Sequence, residues 1–210
     1  MQTYILPANL DQEINDLAKL VEDFSQGKIE KNELKAHRVP FGSYEQRRPN
    51  TYMVRLRCPG GIITPAQLAQ VAEISKRHQP STIHLTTRQE IQVHNLELNE
   101  IVPIIREFKN YGLASRGGGG NTVRNIASPE DAGVDPDELF DVTPYAVALT
   151  SQLISENDSW TLPRKFKIAF SGSAKDKAYA TLADLGFIAA IKNGQKGFKV
   201  YVAGGMGGKA

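Results

Sequence analysis

Residues 51–64 read TYMVRLRCPGGIIT, and they organise the chain on both sides. The run Tyr52 to Cys58 alternates: Val54, Leu56 and Cys58 point one way, Arg55 and Arg57 the other, the pattern of a strand with one apolar face. Pro59-Gly60-Gly61 closes it. Thr64-Pro65 then opens a helix, since threonine caps well and proline suits the first helical position. Leu68, Val71, Ala72 and Ser75 are its expected inner face. Residues 82–86 and 90–95 read as two strands or one long bent strand. Asn99 is placed to cap a last helix, with Ile101, Ile104, Ile105, Phe108 and Tyr111 at core spacing. The order is β-α-β-β-α.

Upstream, Leu10, Ile14, Leu17, Val21 and Phe24 recur at helical spacing over 9–25, and Gln26-Gly27 ends that helix. A short charged helix follows near Lys31–His37, and residues 39–50, carrying SYEQRR, read as an extended arm. Downstream, RGGGGNTVRN (116–125) cannot hold a regular element; its glycines let backbone lie close to a neighbour. A polar loop spans 128–138 and a helix 142–156. A strand at 165–171, a helix at 174–185 and strands at 187–192 and 197–203 form a second unit, β-α-β-β. The fold class is α+β. The expected organisation is a helical N-terminal arm over 1–40, a first unit over 41–115 and a second over 116–210. The ending AGGMGGKA is a glycine-rich loop, from which the natural polypeptide is expected to continue.

Hydrophobic residues make up 40% of the 210, enough for a core, and the net charge of +2 gives no bulk signal for nucleic acid. One cysteine, Cys58, rules out a disulfide framework and any multi-cysteine metal site built from this chain alone; it reads as a small core residue. The opening MQTYILPANLDQEINDL lacks a basic region followed by an apolar run, and no apolar stretch approaches the ~20 residues of a membrane span, so the cytoplasm is the expected compartment.

Cations recur on strand faces opposite the apolar residues. Arg55 and Arg57 share one face; His84, Thr86, Arg88, Glu90, Gln92 and His94 share one parity; Lys165 and Lys167 oppose Phe166, Ile168 and Phe170. Arg124 follows the glycine run and Arg164 precedes the lysines. Brought together, such charges repel and need anions to neutralise them, with arginine offering a planar fork and lysine a point charge. The implied ligand carries several negative charges. Taken singly, each pair also fits a solvated outer face.

The segments TYMVRLRCPGGIIT (51–64), IHLTTRQEIQVHN (83–95), NTVRNIASP (121–129) and LPRKFKIAFSG (162–172) together resemble the siroheme-dependent nitrite/sulfite reductase family, in its order and spacing from about residue 40 onward. The resemblance implies a ferredoxin-like half domain followed by the first part of a siroheme-binding domain. It implies six-electron reduction of sulfite to sulfide or nitrite to ammonia, at a siroheme coupled to a [4Fe–4S] cluster, with ferredoxin or a flavoprotein as donor. Arg55, Arg124, Lys165 and Lys167 match the family's substrate-facing basic residues. Arg57, Arg88, Gln92, His94, Asn125 and Arg164 match positions lining the cofactor or supporting its carboxylates, with Thr86 a further candidate. Tyr44 resembles a distal-pocket aromatic, and Gln46 and Arg47 are its expected neighbours.

The family's cluster cysteines lie in a C-terminal half beyond these segments, and Thr122 stands where some members carry a cysteine. The chain is therefore expected to supply no metal ligand, to need a missing C-terminal half, to bind neither cofactor stably alone and to be inactive alone. Two further classes remain open: a non-catalytic module for an anionic tetrapyrrole, and a relative acting in cobalamin ring synthesis. The Lys165/Lys167 pair favours the oxyanion reductases.

Overall fold

A computed structural model describes residues 3–78 and 82–205. Two N-terminal helices, α1 (Leu10–Ser25) and α2 (Lys31–Arg38), lead into β1 (Ser43–Glu45) and β2 (Tyr52–Leu56). Gly27, at φ 71°, lets the chain leave α1 in the left-handed conformation that glycine tolerates. Part of the expected arm at 39–50 is thus a strand, paired antiparallel with β2.

Next come α3 (Pro65–Arg77), β3 (Ile83–Leu85), β4 (Ile91–Leu96) and α4 (Ile101–Asn110). Thr64 caps α3 in a reciprocal box: its Oγ1 accepts from Gln67 N at 3.1 Å, and Gln67 Oε1 accepts from Thr64 N at 3.1 Å. The inner face of α3 is Gln67, Val71, Ile74 and Ser75; Leu68, expected inside, is exposed. Asn99 lies inside a 3-10 turn, and Glu97 and Glu100 cap each other instead. Tyr111, just past α4, is also exposed, because the helix ends before that position reaches the core.

The first sheet runs β1-β2-β4-β3, antiparallel throughout. Since β4 lies between β2 and β3, the β-α-β unit is split, the ferredoxin-like arrangement. Residues 82–96 form two strands rather than one, folded over the turn at 86–90. Val54, Leu56, Ile91 and Val93 face a core shared with α3, α4 and α1, to which the N-terminal segment adds Tyr4, Leu10, Ile14 and Leu17. The register sets Arg55, Gln92 and His84 in one cross-strand row on the opposite face.

Beyond the glycine run, α5 (Thr143–Leu153) precedes a second sheet of β5 (Ile168–Ser171), β6 (Leu185–Lys192) and β7 (Gln195–Val202). β5 and β6 are parallel, β6 and β7 antiparallel. Segment 123–127 runs beside β5 through the bridges Val123–Phe166 and Ala127–Ala169.

The helix expected at 174–185 does not form. Among the described residues that connection holds only a 3-10 turn at Ala180–Leu182. The carboxylate of Asp176 accepts from Ala180 N at 2.6 Å, Thr181 N at 3.0 Å and Thr181 Oγ1 at 2.8 Å, so a local side-chain turn outcompetes the helical ladder. Tyr179 adopts φ 54°, which no α-helix accommodates. The second unit is therefore strand, turn, strand, strand within an α+β fold. No helix among the described residues is long and apolar enough to cross a membrane. Of the terminal glycine-rich stretch, residues 206–210 lie outside the described residues.

Candidate anion-binding and cofactor site

Where the open face of the first sheet meets the second unit, a pocket of about 370 Å³ is lined by Tyr44, Met53, Arg55, Arg88, Arg124, Lys165 and Lys167. All four residues expected to face substrate line this one pocket, together with Arg88 and Tyr44. They come from β1, β2, the 86–90 turn, the stretch after the glycine run and the approach to β5. Five cations around one cavity repel one another and leave it strongly receptive to anions.

The glycine run makes this convergence possible. A Cβ on Gly119 would run into the carbonyl of Val39 and the ring and hydroxyl of Tyr44. One on Gly117, at φ 78°, would strike the Arg57 guanidinium and the Trp160 ring. The bare backbone therefore lies against β1 and the α2–β1 junction, and Tyr44 Oη accepts from Gly120 N at 2.9 Å. Arg124 then emerges with its Nη2 on Gly118 O at 2.8 Å, while its buried Nε has no partner.

Arg57 does not share the open face with Arg55. β2 ends at Leu56, and the Arg57 side chain turns inward, 2% exposed. It donates to the carbonyls of Gly117 (2.9 Å), Val123 (2.8 Å) and Arg124 (3.4 Å). Burial pushes the affinity of this guanidinium for its proton down, offset in part by Glu90. Arg57 is thus a clamp on the glycine loop, placed there because strand alternation stops where the strand stops.

Asn125 is likewise fully buried, donating to Cys58 O at 2.8 Å and Arg88 O at 3.0 Å. Thr86 Oγ1 accepts from Arg88 N and Glu90 N, which holds the turn that presents Arg88. Asn125 and Thr86 brace the pocket from behind rather than line it. Arg47 is exposed and does not line the pocket. Arg164 faces an adjoining cleft of about 610 Å³, whose lining shares Arg88 and Lys167 with the pocket.

Gln92 continues the polar row. With its oxygen turned to Arg55, it accepts from Nη2 at 2.6 Å and Nε at 3.0 Å. His94 lies beyond it, with Nδ1 2.9 Å from Gln46 Nε2 and its ring stacked on His84. The irregular register between Tyr52 and Val54, opposite Asn95 at φ 60°, re-aims His94 toward Gln46. Burial, then His84 and Arg55, hold the His94 pKa below its ordinary value.

Two residues went unassigned at the level of sequence. Met53 lines the pocket and has the parity of Arg55, which was the available signal. Glu90, 1% exposed, ion-pairs with Arg55 at 3.2 Å from behind the wall. It was visible as the one acid among His84, Thr86, Arg88, Gln92 and His94.

Fold and pocket together give a split β-α-β half domain joined through a glycine run to a second sheet, with convergent cations at the seam. Residues 44–111 match the nitrite/sulfite reductase ferredoxin-like half domain, and residues 119–210 match the nitrite and sulphite reductase 4Fe-4S domain. The chain belongs to the nitrite/sulfite reductase family.

It is 36% identical over 159 residues to a ferredoxin–nitrite reductase of Leptolyngbya laminosa, covering 73% of this chain and 31% of that protein. It is 29% identical over 204 residues to the chloroplastic ferredoxin–nitrite reductase of Arabidopsis thaliana, covering 93% of this chain and 35% of that one. Among solved structures, Mycobacterium tuberculosis NirA superposes with a TM-score of 0.79 at 26% identity, over 95% of this chain and 41% of that chain. The chain spans about a third of the length of these curated relatives.

Proposed function

We propose that this chain forms the substrate-facing half of an enzyme that reduces nitrite to ammonia by six electrons at a siroheme coupled to a [4Fe–4S] cluster, with ferredoxin as donor. The observation that carries this reading is the convergence of Arg55, Arg124, Lys165 and Lys167 on one pocket. The nitrite reductases among the relatives favour nitrite; sulfite is the second substrate this pocket suits, since both are small oxyanions.

The residues fit a polycarboxylate macrocycle. Arg88, Arg164 and Lys167 line the cleft beside the anion pocket and would hold siroheme carboxylates, and the unpartnered Nε of Arg124 is a spare donor. When bound, siroheme supplies the iron that takes the anion and feeds it electrons. Arg55 and Arg124 would orient the oxyanion, and their fixed charge would stabilise negative charge building on its oxygens. Lys165 and Lys167 would hold protons at Nζ for oxygens leaving as water. Gln92 would keep Arg55 aimed at the pocket, with His94 and Gln46 behind it.

The cluster finds no ligands here. Cys58 is the single cysteine, lies outside the 119–210 match, and its thiol is pushed up to about 12 by burial. The cluster ligands and the opposite wall of the site would come from polypeptide outside these residues. The test compares the product of the complete reading frame with residues 1–210 alone. The complete product is expected to show a siroheme absorbance band and to consume nitrite with reduced methyl viologen. Residues 1–210 alone are expected to do neither. A complete product that binds the macrocycle yet reduces neither anion overturns the reductase in favour of a binding module.

A further inference from the structure

Glu90 stands behind the pocket, not in its wall. Its side chain has no exposure, and Oε2 lies 3.2 Å from Arg55 Nη1 while Oε1 is buried with no hydrogen-bond partner. The groups around it come from several elements: Arg55 on β2, Arg57 just past it, Arg88 in the turn and Arg124 after the glycine run. The Cys58 thiol and the Tyr4 phenol also feel its charge. A buried carboxylate among arginines is expensive to desolvate, and here it is not fully repaid by hydrogen bonds. Its burial raises its pKa, against the pull of Arg55, Arg57 and Arg124.

Arg55 is held from two sides. Glu90 takes Nη1, and Gln92 takes Nη2 and Nε. The planar fork is thereby locked in one orientation, and the charge of Glu90 is subtracted from the five cations of the wall. An anion in the pocket feels that buried charge in proportion to its own. Nitrite carries one negative charge; fully ionised sulfite carries two.

We propose that Glu90 is a positioning and specificity residue, whose carboxylate locks Arg55 at the pocket and lowers the pocket's positive charge, favouring a singly charged oxyanion over a doubly charged one. This rests on the oxyanion-reductase reading above. Glu90 does not touch the reacting anion; it acts through Arg55 and through its field.

The experiment uses the complete reading-frame product, loaded with its cofactors, and measures kcat and KM for nitrite and for sulfite at alkaline pH, where sulfite holds both charges. In Glu90→Gln the nitrite-to-sulfite ratio of kcat/KM is expected to fall roughly tenfold, since removing one buried negative charge favours the doubly charged anion over the singly charged one. Glu90→Asp keeps the charge but withdraws it by one methylene. It is expected to keep the ratio while kcat falls roughly 10-fold, the low end of the loss when a supporting partner is displaced. An unchanged ratio in active Glu90→Gln overturns the specificity claim. Unchanged kcat in Glu90→Asp overturns the positioning claim, and, should Glu90→Gln not fold, a shifted ratio in Glu90→Asp, which retains the charge, overturns the specificity claim. Wild-type protein that reduces neither anion overturns the parent reading instead, so the two failures are distinguishable.

Discussion

Arg57 donates from Nη2 to the carbonyl oxygen of Val123 at 2.8 Å, tying the end of β2 to the strand-like stretch that begins the second unit. The same nitrogen holds Gly117 O at 2.9 Å, so one guanidinium spans both ends of the glycine loop. The loop's path, and with it the position of Arg124, depends on this bond. Arg57→Lys is expected to destabilise the chain by about 2–4 kcal/mol, since an ammonium cannot fork to three carbonyls and leaves buried acceptors unpaired. Urea unfolding reads this directly; a change under about 0.5 kcal/mol, the range of ordinary surface substitutions, would remove Arg57 from the role.

Gly119 and Gly194 separate close approach from conformational freedom. Gly119→Ala places a methyl against Val39 O and Tyr44 and is expected to cost roughly 1–3 kcal/mol through overpacking. Gly194, at φ 74° in the β6–β7 turn, has open space around it, so Gly194→Ala should cost only the left-handed backbone penalty, about 1 kcal/mol. Thermal melts of the two variants should rank in that order.

Cys58 governs part of the alkaline limb of stability. Its folded pKa is raised from 9.0 to about 12 by burial, so the folded state keeps a proton that the unfolded state releases. The contribution is fully present below pH 9 and is lost as pH rises toward about 12. The loss is of order 2–4 kcal/mol at the top of that window. Tyr4 is shifted in the same direction by burial and adds to the slope. Unfolding free energy measured across this range should flatten in Cys58→Ala relative to wild type, and the native thiol should resist alkylation near neutral pH.

Arg116 lies over the Trp160 ring at 3.6 Å from its centroid and over Phe41 at 5.6 Å, and it pairs with Glu13 on α1 at 2.7 Å. Trp160 is the single tryptophan, so its emission reports on this site. Arg116→Ala should shift that emission and destabilise by about 1–2 kcal/mol, a partly desolvated cation–π contact together with an ion pair. Unaltered fluorescence would show that the guanidinium does not stack in solution.

Lys165 is exposed and Lys167 partly so, and neither is needed for folding by its contacts with the core. Single alanine variants should melt within about 0.5 kcal/mol of wild type. In the complete enzyme each should nevertheless lower nitrite turnover, roughly 10²-fold or more if the lysine supplies protons. Loss of turnover with retained stability separates a pocket lysine from a solvated one.

The split β-α-β unit was legible because its signals are local. Thr64 and Pro65 announce a helix, Val54 and Leu56 alternate against Arg55, and Ile101 through Phe108 repeat at helical spacing. The helix written for 174–185 was not, because a single Asp176 carboxylate captured the backbone donors that the helix needed. Arg57 was placed with Arg55 by parity, yet parity holds only inside a strand, and β2 ends one residue earlier. His94 needed the bulge at Asn95, a property of two strands paired and of neither alone.

Residue order alone was enough to name the cations and to say that anions must answer them, since charge and alternation are written residue by residue. That Arg55, Arg88, Arg124, Lys165 and Lys167 share one cavity was settled only by folding, through glycines that admit backbone against Tyr44 and an arginine that grips three carbonyls. The burial of Glu90 beneath them belongs to the same category: desolvation is a property of everything packed around a group, and no stretch of chain carries it by itself.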